Sequence, residues 1–186
     1  MAVKTFTAGA VLTASDTNTY LNNGGLVYIT EASVTSGSTI SISNCFTSTY
    51  TNYRIIGYNM ATSGTAALAF QFLAAGTPAA TNYNAQRFYV QGVATGGNRT
   101  TGDTSFNFAY IASSSGQSTT MEVFSPAVAT PTKMMLDQMY LDPSTSPNID
   151  IRRGIHTTST AYDGFRVTTT DTFSAATIVV YGYRKA

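Results

Sequence analysis

Ala175-Ala176-Thr177-Ile178-Val179-Val180-Tyr181 is a near-continuous apolar run, with one threonine in its middle. Such a run is typical of a strand that is buried on both faces, because a half-exposed strand alternates apolar with polar residues. We therefore predict a central strand at 177–183 and build the rest of the fold outward from it.

The sequence before this strand repeats one pattern, in which short β-rich runs are separated by turn residues. Thr39-Ile40-Ser41-Ile42-Ser43 alternates polar with apolar side chains, whereas Gly96-Gly97-Asn98 and Asp163-Gly164 are typical of turns. This spacing, with little helical periodicity, predicts an all-β fold, an antiparallel β-sandwich of the jelly-roll type. The predicted strands are 39–43, 53–58, 67–72, 87–90, 105–111, 119–124, 133–137, 149–152, 164–168 and 177–183.

A different pattern precedes the β-rich region. Thr13 can cap a helix, Asp16 places a negative charge near the positive end of that helix, and Gly24-Gly25 supplies a left-handed stop. A helix of about eight to ten residues is marginal alone in water, so we expect it to dock on the chain's own body, a sister subunit or a larger assembly. We assign residues 1–33 to an N-terminal docking arm with this short helix and residues 34–186 to a β-sandwich body.

The chain has unusually few charges. Only 10% of its 186 residues are charged, and the net charge is +1. Charge repulsion therefore does little to keep copies apart, which favours a permanent assembly over a free cytosolic enzyme; a secreted or viral β-protein of low charge is the alternative. The chain lacks a basic tract, a membrane-length apolar stretch and a signal-peptide core, so we expect no nucleic-acid partner, no membrane insertion and no conventional export signal.

Few side chains could carry chemistry. The one cysteine, Cys45, cannot form an internal disulfide, and together with the one histidine, His156, it supplies too few ligands for structural zinc. We therefore expect neither a metal nor a cofactor. Cys45 is interpreted as a small buried apolar residue, and His156 as a surface or hydrogen-bonded residue at a strand end.

Paired carboxylates are the remaining route to catalysis, because two of them can hydrolyse a glycosidic bond. Asp137, Asp142 and Asp150 lie near one another in the sequence. Asp142 belongs to a turn signal, however, and Asp137 suits the solvent side of its strand. We favour a protein without enzymatic activity and keep a polysaccharide hydrolase as the weaker alternative.

Aromatic residues allow a binding function. The chain has 12 tyrosines, 10 phenylalanines and no tryptophan. Tyr50, Tyr83 and Tyr162 are candidates for a glycan or receptor platform on loops, because tyrosine can stack on a sugar and also hydrogen-bond to it. The alternative is that these tyrosines pack at subunit contacts or cap the core.

Three segments carry a family resemblance: FTAGAVLTASDTNTYLNN (6–23), CFTSTYTNYRIIGYN (45–59) and YDGFRVTTTDTFSAATIVVYGYRKA (162–186). They resemble tailed-bacteriophage virion proteins, especially short tail-fibre or appendage proteins. The resemblance implies that the N-terminal segment attaches to the particle while the β body faces outward. It places the docking residues at Phe6, Val11, Leu12, Asp16, Tyr20 and Leu21.

The resemblance also implies a homo-oligomer, with a trimer as the analogous state, and a second virion protein as the partner of the arm. We therefore expect a non-enzymatic virion protein, a tail fibre or tail appendage on the particle surface. A capsid decoration or head-fibre protein, and a module that binds a host surface glycan, are the alternatives. The sequence leaves the choice between tail and capsid open.

Overall fold

The computed structural model describes residues 7–11, 13, 25–111, 116–141 and 147–184, and every structural statement below concerns these residues. Their regular structure consists of strands, thirteen in all. In chain order they are β1 (Leu26–Val34), β2 (Thr39–Ile42), β3 (Asn52–Thr62), β4 (Ala66–Ala74), β5 (Thr77–Pro78), β6 (Tyr83–Gln91), β7 (Ala94–Asp103), β8 (Phe106–Ile111), β9 (Gln117–Phe124), β10 (Thr132–Leu141), β11 (Pro147–His156), β12 (Gly164–Thr168) and β13 (Phe173–Tyr183).

The strands form two antiparallel sheets. The large sheet has eight strands in the order β1-β13-β3-β9-β10-β11-β6-β7. In the small sheet β2 pairs with β12 and β12 with β4, and both β5 and β8 then pair with β4. The predicted all-β class with antiparallel sheets is therefore confirmed.

Strand pairing follows a nested pattern along the chain. β1 pairs with β13, β2 with β12, β3 with β9, and β4 with β8. The other five strands lie in two insertions, one between β4 and β8 and one between β9 and β12. Four of them, β10, β11, β6 and β7, continue the large sheet beyond β9.

One hydrophobic core lies between the sheets, and aromatic rings dominate it. Phe70 of the small sheet stacks on Phe165 with ring centroids 5.0 Å apart, and on Phe108 at 6.1 Å. Phe46, from the loop after β2, packs against Phe165 and, edge-on at 4.8 Å, against Tyr53 of the large sheet. Offset and edge-to-face contacts of this kind are favourable beyond the apolar area that they bury.

β13 is a central strand, as predicted. It pairs with β1 on one side and β3 on the other, while Ile178 and Val180 point into the core. Val179 points to the opposite face and is still only 5% exposed, between the strand neighbours Glu31 and Ile56. The strand is therefore buried on both faces at its centre, around Val179, where its sequence is continuously apolar.

The structure corrects the sequence analysis at both ends of the large sheet. All of β1 except its last residue, Val34, lies in the stretch 1–33 that was assigned to the arm, so the sheet begins earlier than predicted. Gly96-Gly97-Asn98, predicted as a turn, lies within β7. β7 is an edge strand that pairs only with β6 and is largely exposed, so its side chains carry no burial signal. The predicted helix after Thr13 falls on residues 14–24, outside the described residues.

We predict that Val179→Asp strongly destabilises the fold, because a carboxylate would be buried there without a partner. The expected loss is about 3 kcal/mol, or a melting temperature lower by about 6–12 °C. Thermal unfolding followed by circular dichroism measures it. Ser174→Asp, at an exposed position of the same strand, is the matched control and should change little. Equal melting temperatures for Val179→Asp and the unmodified protein would show that β13 is not buried on both faces.

Candidate functional site

His156 is held as a structural residue at the end of β11. Its Nε2 lies 2.9 Å from the Thr81 carbonyl oxygen and must donate to it, so Nδ1 accepts from the Tyr162 hydroxyl at 3.0 Å. Its ring forms edge-to-face contacts with Phe72 and Tyr83, at centroid distances of 5.8 and 4.4 Å. Burial lowers the pKa of His156 below its ordinary value, which favours the neutral ring. Both ring nitrogens are engaged, so neither is available as a general base or a metal ligand.

Cys45 is also structural. It is buried in the core, and its Sγ lies 3.7 Å from the Ile42 carbonyl oxygen. Burial raises the pKa of the thiol to about 12. A thiol that stays protonated at neutral pH is a poor nucleophile, so Cys45 acts as the small apolar residue that its sequence context indicated.

Two of the three candidate carboxylates lie on neighbouring strands but on opposite faces of the large sheet. Asp150 on β11 is buried on the inner face, beside Gln138 of β10. Asp137, the next residue of β10, points to the outer face and forms an exposed ion pair with Arg153 at 3.2 Å. Because the sheet separates them, they cannot share a substrate. Asp142 lies outside the described residues.

Asp150 is part of a compact ion-pair cluster. Its Oδ2 lies 2.9 Å from an Arg87 nitrogen and 2.7 Å from an Arg152 nitrogen, and its own side chain is almost completely buried. The Arg87 guanidinium in turn lies over the Tyr89 ring, 4.3 Å from its centroid. A buried carboxylate needs such partners, so the cluster accounts for Asp150 without a catalytic role.

The tyrosine platform predicted from sequence is wrong for two of its three members. Tyr83 and Tyr162 are both buried, where each stacks with the core residue Phe72. Tyr50 is half-buried and covers Gly182, where any side chain would collide with the tyrosine ring. Tyr83 and Tyr162 therefore belong to the core, which was the alternative interpretation of their sequence.

Among the predicted docking residues, Val11 is the one whose position the structure describes. It is 84% exposed, so nothing in the described part of the chain covers it. Phe6, Leu12, Asp16, Tyr20 and Leu21 lie outside the described residues.

The outer face of the large sheet is the surface that sequence reasoning missed. On β10, β11 and β6, alternate side chains point away from the core, and large apolar residues occupy many of these positions. We call this set the apolar face; its members are Met135, Met139, Ile149, Ile151, Phe88 and Val90. Phe88 is 49% exposed, Ile149 46% and Met139 66%. In the strand register, Met139 lies beside Ile149 and Ile149 beside Val90, so the apolar residues are contiguous.

A groove runs along one side of the apolar face. It has a volume of about 640 Å³, and Phe124, Met135 and Ile155 contribute to its largely apolar lining. Three cations, Arg99, Lys133 and Arg153, stand around it. An apolar depression with charges at its border has the character of a macromolecular contact surface, where an apolar centre is surrounded by a polar rim.

The apolar face was detectable in the sequence of β10, Lys133-Met134-Met135-Leu136-Asp137-Gln138-Met139. Apolar residues occur there in both alternating registers, at the inward positions Met134 and Leu136 and at the outward positions Met135 and Met139. A strand with one face in water should keep only one of these registers apolar. That violation marks β10 as a strand with large apolar side chains on both of its faces.

Among the described residues, no three histidine, cysteine, aspartate or glutamate side chains are close enough together to hold a metal ion. The same part of the chain contains no helix that is long and apolar enough to cross a membrane.

No protein-family model, no curated protein and no solved structure matches this chain. A function must therefore be inferred from the geometry of the molecule. The exposed apolar face and the engaged state of Cys45, His156 and Asp150 are the observations available for that inference.

We predict that His156 makes stability fall as the pH is lowered through its ordinary range. Its folded-state pKa is lowered, so below about pH 6.5 the unfolded chain binds a proton that the folded chain resists. The stabilisation is complete above that pH and is lost below it. Urea unfolding at about pH 7.5 and about pH 5 measures the change, with His156→Gln as the comparison. The variant should be less stable at the higher pH and lose less on acidification, whereas equal losses in both proteins would contradict the assignment.

Proposed function

We propose that this protein is a non-enzymatic virion structural protein of a tailed phage, a tail fibre or tail appendage at the particle surface. The apolar face of the large sheet is the observation that carries the proposal. Free monomeric proteins rarely expose a contiguous apolar surface with this many large side chains, and such surfaces mark sites of association. A subunit of a permanent assembly uses an apolar surface of this kind for its contacts with other subunits.

The topology supports a jelly roll within this proposal. A jelly roll is a long antiparallel hairpin that wraps into two sheets, so the first strand pairs with the last and the second with the one before it. The pairs β1 with β13, β2 with β12, β3 with β9 and β4 with β8 have this nesting. Viral capsid domains and lectins use this architecture, although the same fold serves other functions as well.

The state of the candidate reactive groups supports a non-enzymatic role. His156 has both ring nitrogens engaged, Cys45 is a buried thiol, and Asp150 is neutralised by two arginines. Each of these groups therefore has a structural role in the folded protein. None of the three combines exposure with an unengaged reactive atom, which a catalytic group needs.

The arm is the proposed attachment segment. The chain enters the large sheet at Gly25, whose carbonyl oxygen accepts a hydrogen bond from the Arg184 amide at 3.0 Å. The preceding residues, including the proposed helix after Thr13 and the docking residues from Phe6 to Leu21, would reach from this point to another virion protein. A position on the capsid, as a decoration or head-fibre protein, fits the same geometry and is the second candidate location.

We predict that deletion of residues 1–24 leaves a folded body that no longer joins the particle. The cut keeps Gly25 and all of β1, so the melting temperature should change little. Particles purified from cells that make either the truncated or the full-length protein are assayed for it by quantitative mass spectrometry. Ala67→Glu, an exposed change on the small sheet, is the control that should still incorporate. Normal incorporation of the folded, truncated protein would show that the arm is not the attachment segment.

A further inference from the structure

We infer that the groove beside the apolar face binds an extended segment of another protein, in which acidic residues flank apolar ones. The inference rests on the proposed function in treating the protein as a subunit of an assembly. It adds the chemistry of one partner and the surface that receives it.

The groove is built from two rows of outward side chains at one end of the large sheet. Residues that face each other in the strand register point to the same side of a sheet, so each row crosses several strands. One row consists of Phe124, Lys133, Ile155 and Asn84, and the next of Met135, Arg153, Gln86 and Arg99. Apolar and cationic side chains therefore stand side by side in one depression of about 640 Å³.

Lys133 and Arg99 are the cations of this groove that lack a partner. Within the described residues, neither side chain forms an ion pair, a hydrogen bond or a cation–π contact. Other arginines of the same part of the chain donate to a carboxylate or amide oxygen: Arg54, Arg87, Arg152 and Arg166. Unpaired cations beside apolar walls attract acidic groups, because the low dielectric of the walls strengthens their field.

The nearby carboxylates do not cancel these two charges. Asp137 accepts a hydrogen bond from Arg153, and Glu122 accepts one from Arg54 and another from the Tyr183 hydroxyl. Among the lining residues that the structure describes, none is acidic. The outer face around the groove therefore keeps the positive charges of Lys133 and Arg99, which complement an acidic partner.

The spacing of the two cations sets the length of the segment that fits. Lys133 and Arg99 lie three strand spacings apart, on β10 and β7, and two residues apart along the strands. With about 4.8 Å between strands and about 3.3 Å per residue, their Cα atoms are roughly 16 Å apart, which an extended peptide covers in about five residues. Ile155 and Arg153 lie between them, and Arg153 uses only its Nη1 for hydrogen bonds within the described part of the chain. Acidic residues about five positions apart, with apolar residues between them, match this arrangement.

The chain's own carboxylates do not supply such a segment. The nine acidic residues are spread through the sequence, and the two nearest, Asp137 and Asp142, are five positions apart. Asp137 lies in β10, which pairs with a strand on each side, so this stretch cannot extend into the groove of a neighbour. The partner is therefore a different protein.

Selection from a random peptide library on the full-length protein tests the inference. The proteins compared are the unmodified chain, the double variant Lys133→Glu with Arg99→Glu, and Met135→Ser, which removes an apolar contact without changing the charge. Ala67→Glu on the small sheet is the matched control for added acid. Sequencing gives the composition of the bound peptides, fluorescence anisotropy gives the dissociation constant of the most enriched peptide, and circular dichroism verifies that each variant is folded.

We expect the unmodified protein and the Ala67→Glu control to enrich peptides that combine acidic with apolar residues. The double variant should bind the most enriched peptide about tenfold more weakly or worse and should select basic peptides instead. Met135→Ser should weaken binding about fivefold. No enrichment of acidic peptides, the same selected composition with the double variant, or binding that both groove variants leave unchanged would each overturn the inference.

These outcomes are separable from the fate of the proposed function. A protein that selects acidic peptides through this groove but is absent from purified particles would refute the virion role and leave the present inference intact. A protein that is present in particles but whose groove selects no acidic peptide would do the opposite.

Discussion

The fold depends on one layer of aromatic contacts between the two sheets. Phe72 of β4 stacks with Tyr162 and with Tyr83, at centroid distances of 4.7 and 6.2 Å, and forms an edge-to-face contact with His156. The one cysteine is a buried free thiol, and only 10% of the residues are charged, so neither disulfides nor many ion pairs can share this task. Buried apolar area therefore supplies the stability, and these rings join the loop before β12 and the ends of β6 and β11 to the core.

The sequence predicted the strands whose side chains face a core, because burial on one face imposes an alternation that can be read directly. All ten predicted strands are present. Three strands of the described residues escaped prediction because their signals are weaker. β1 follows a segment interpreted as an arm, β5 has only two residues, and β7 pairs at an edge through its backbone with mostly exposed side chains. The tyrosine assignments failed for a different reason. Tyr83 and Tyr162 stand near turn residues, and only the tertiary packing around Phe72 shows that their rings point inward.

The candidate site required the register between strands, which a single sequence does not contain. Asp137 and Asp150 are close in sequence and lie on adjacent strands, but the register places them on opposite faces of the sheet. The same register aligns Met139, Ile149 and Val90 into a continuous apolar surface. The pairing of these strands thus argues against a carboxylate pair and also produces the apolar face on which the proposed function depends.

The central claim is that the outer face of the large sheet is covered when the protein is assembled. Oxidation of its methionines by hydroxyl radicals, followed by mass spectrometry, tests this claim most directly. Met135 and Met139 lie on that face, whereas Met60, Met121 and Met134 are buried in the core and serve as internal references. The account predicts that Met135 and Met139 are protected in the protein of purified particles and reactive in the protein purified alone, while the three references stay protected in both. Equal oxidation of Met135 and Met139 in the two preparations would contradict it.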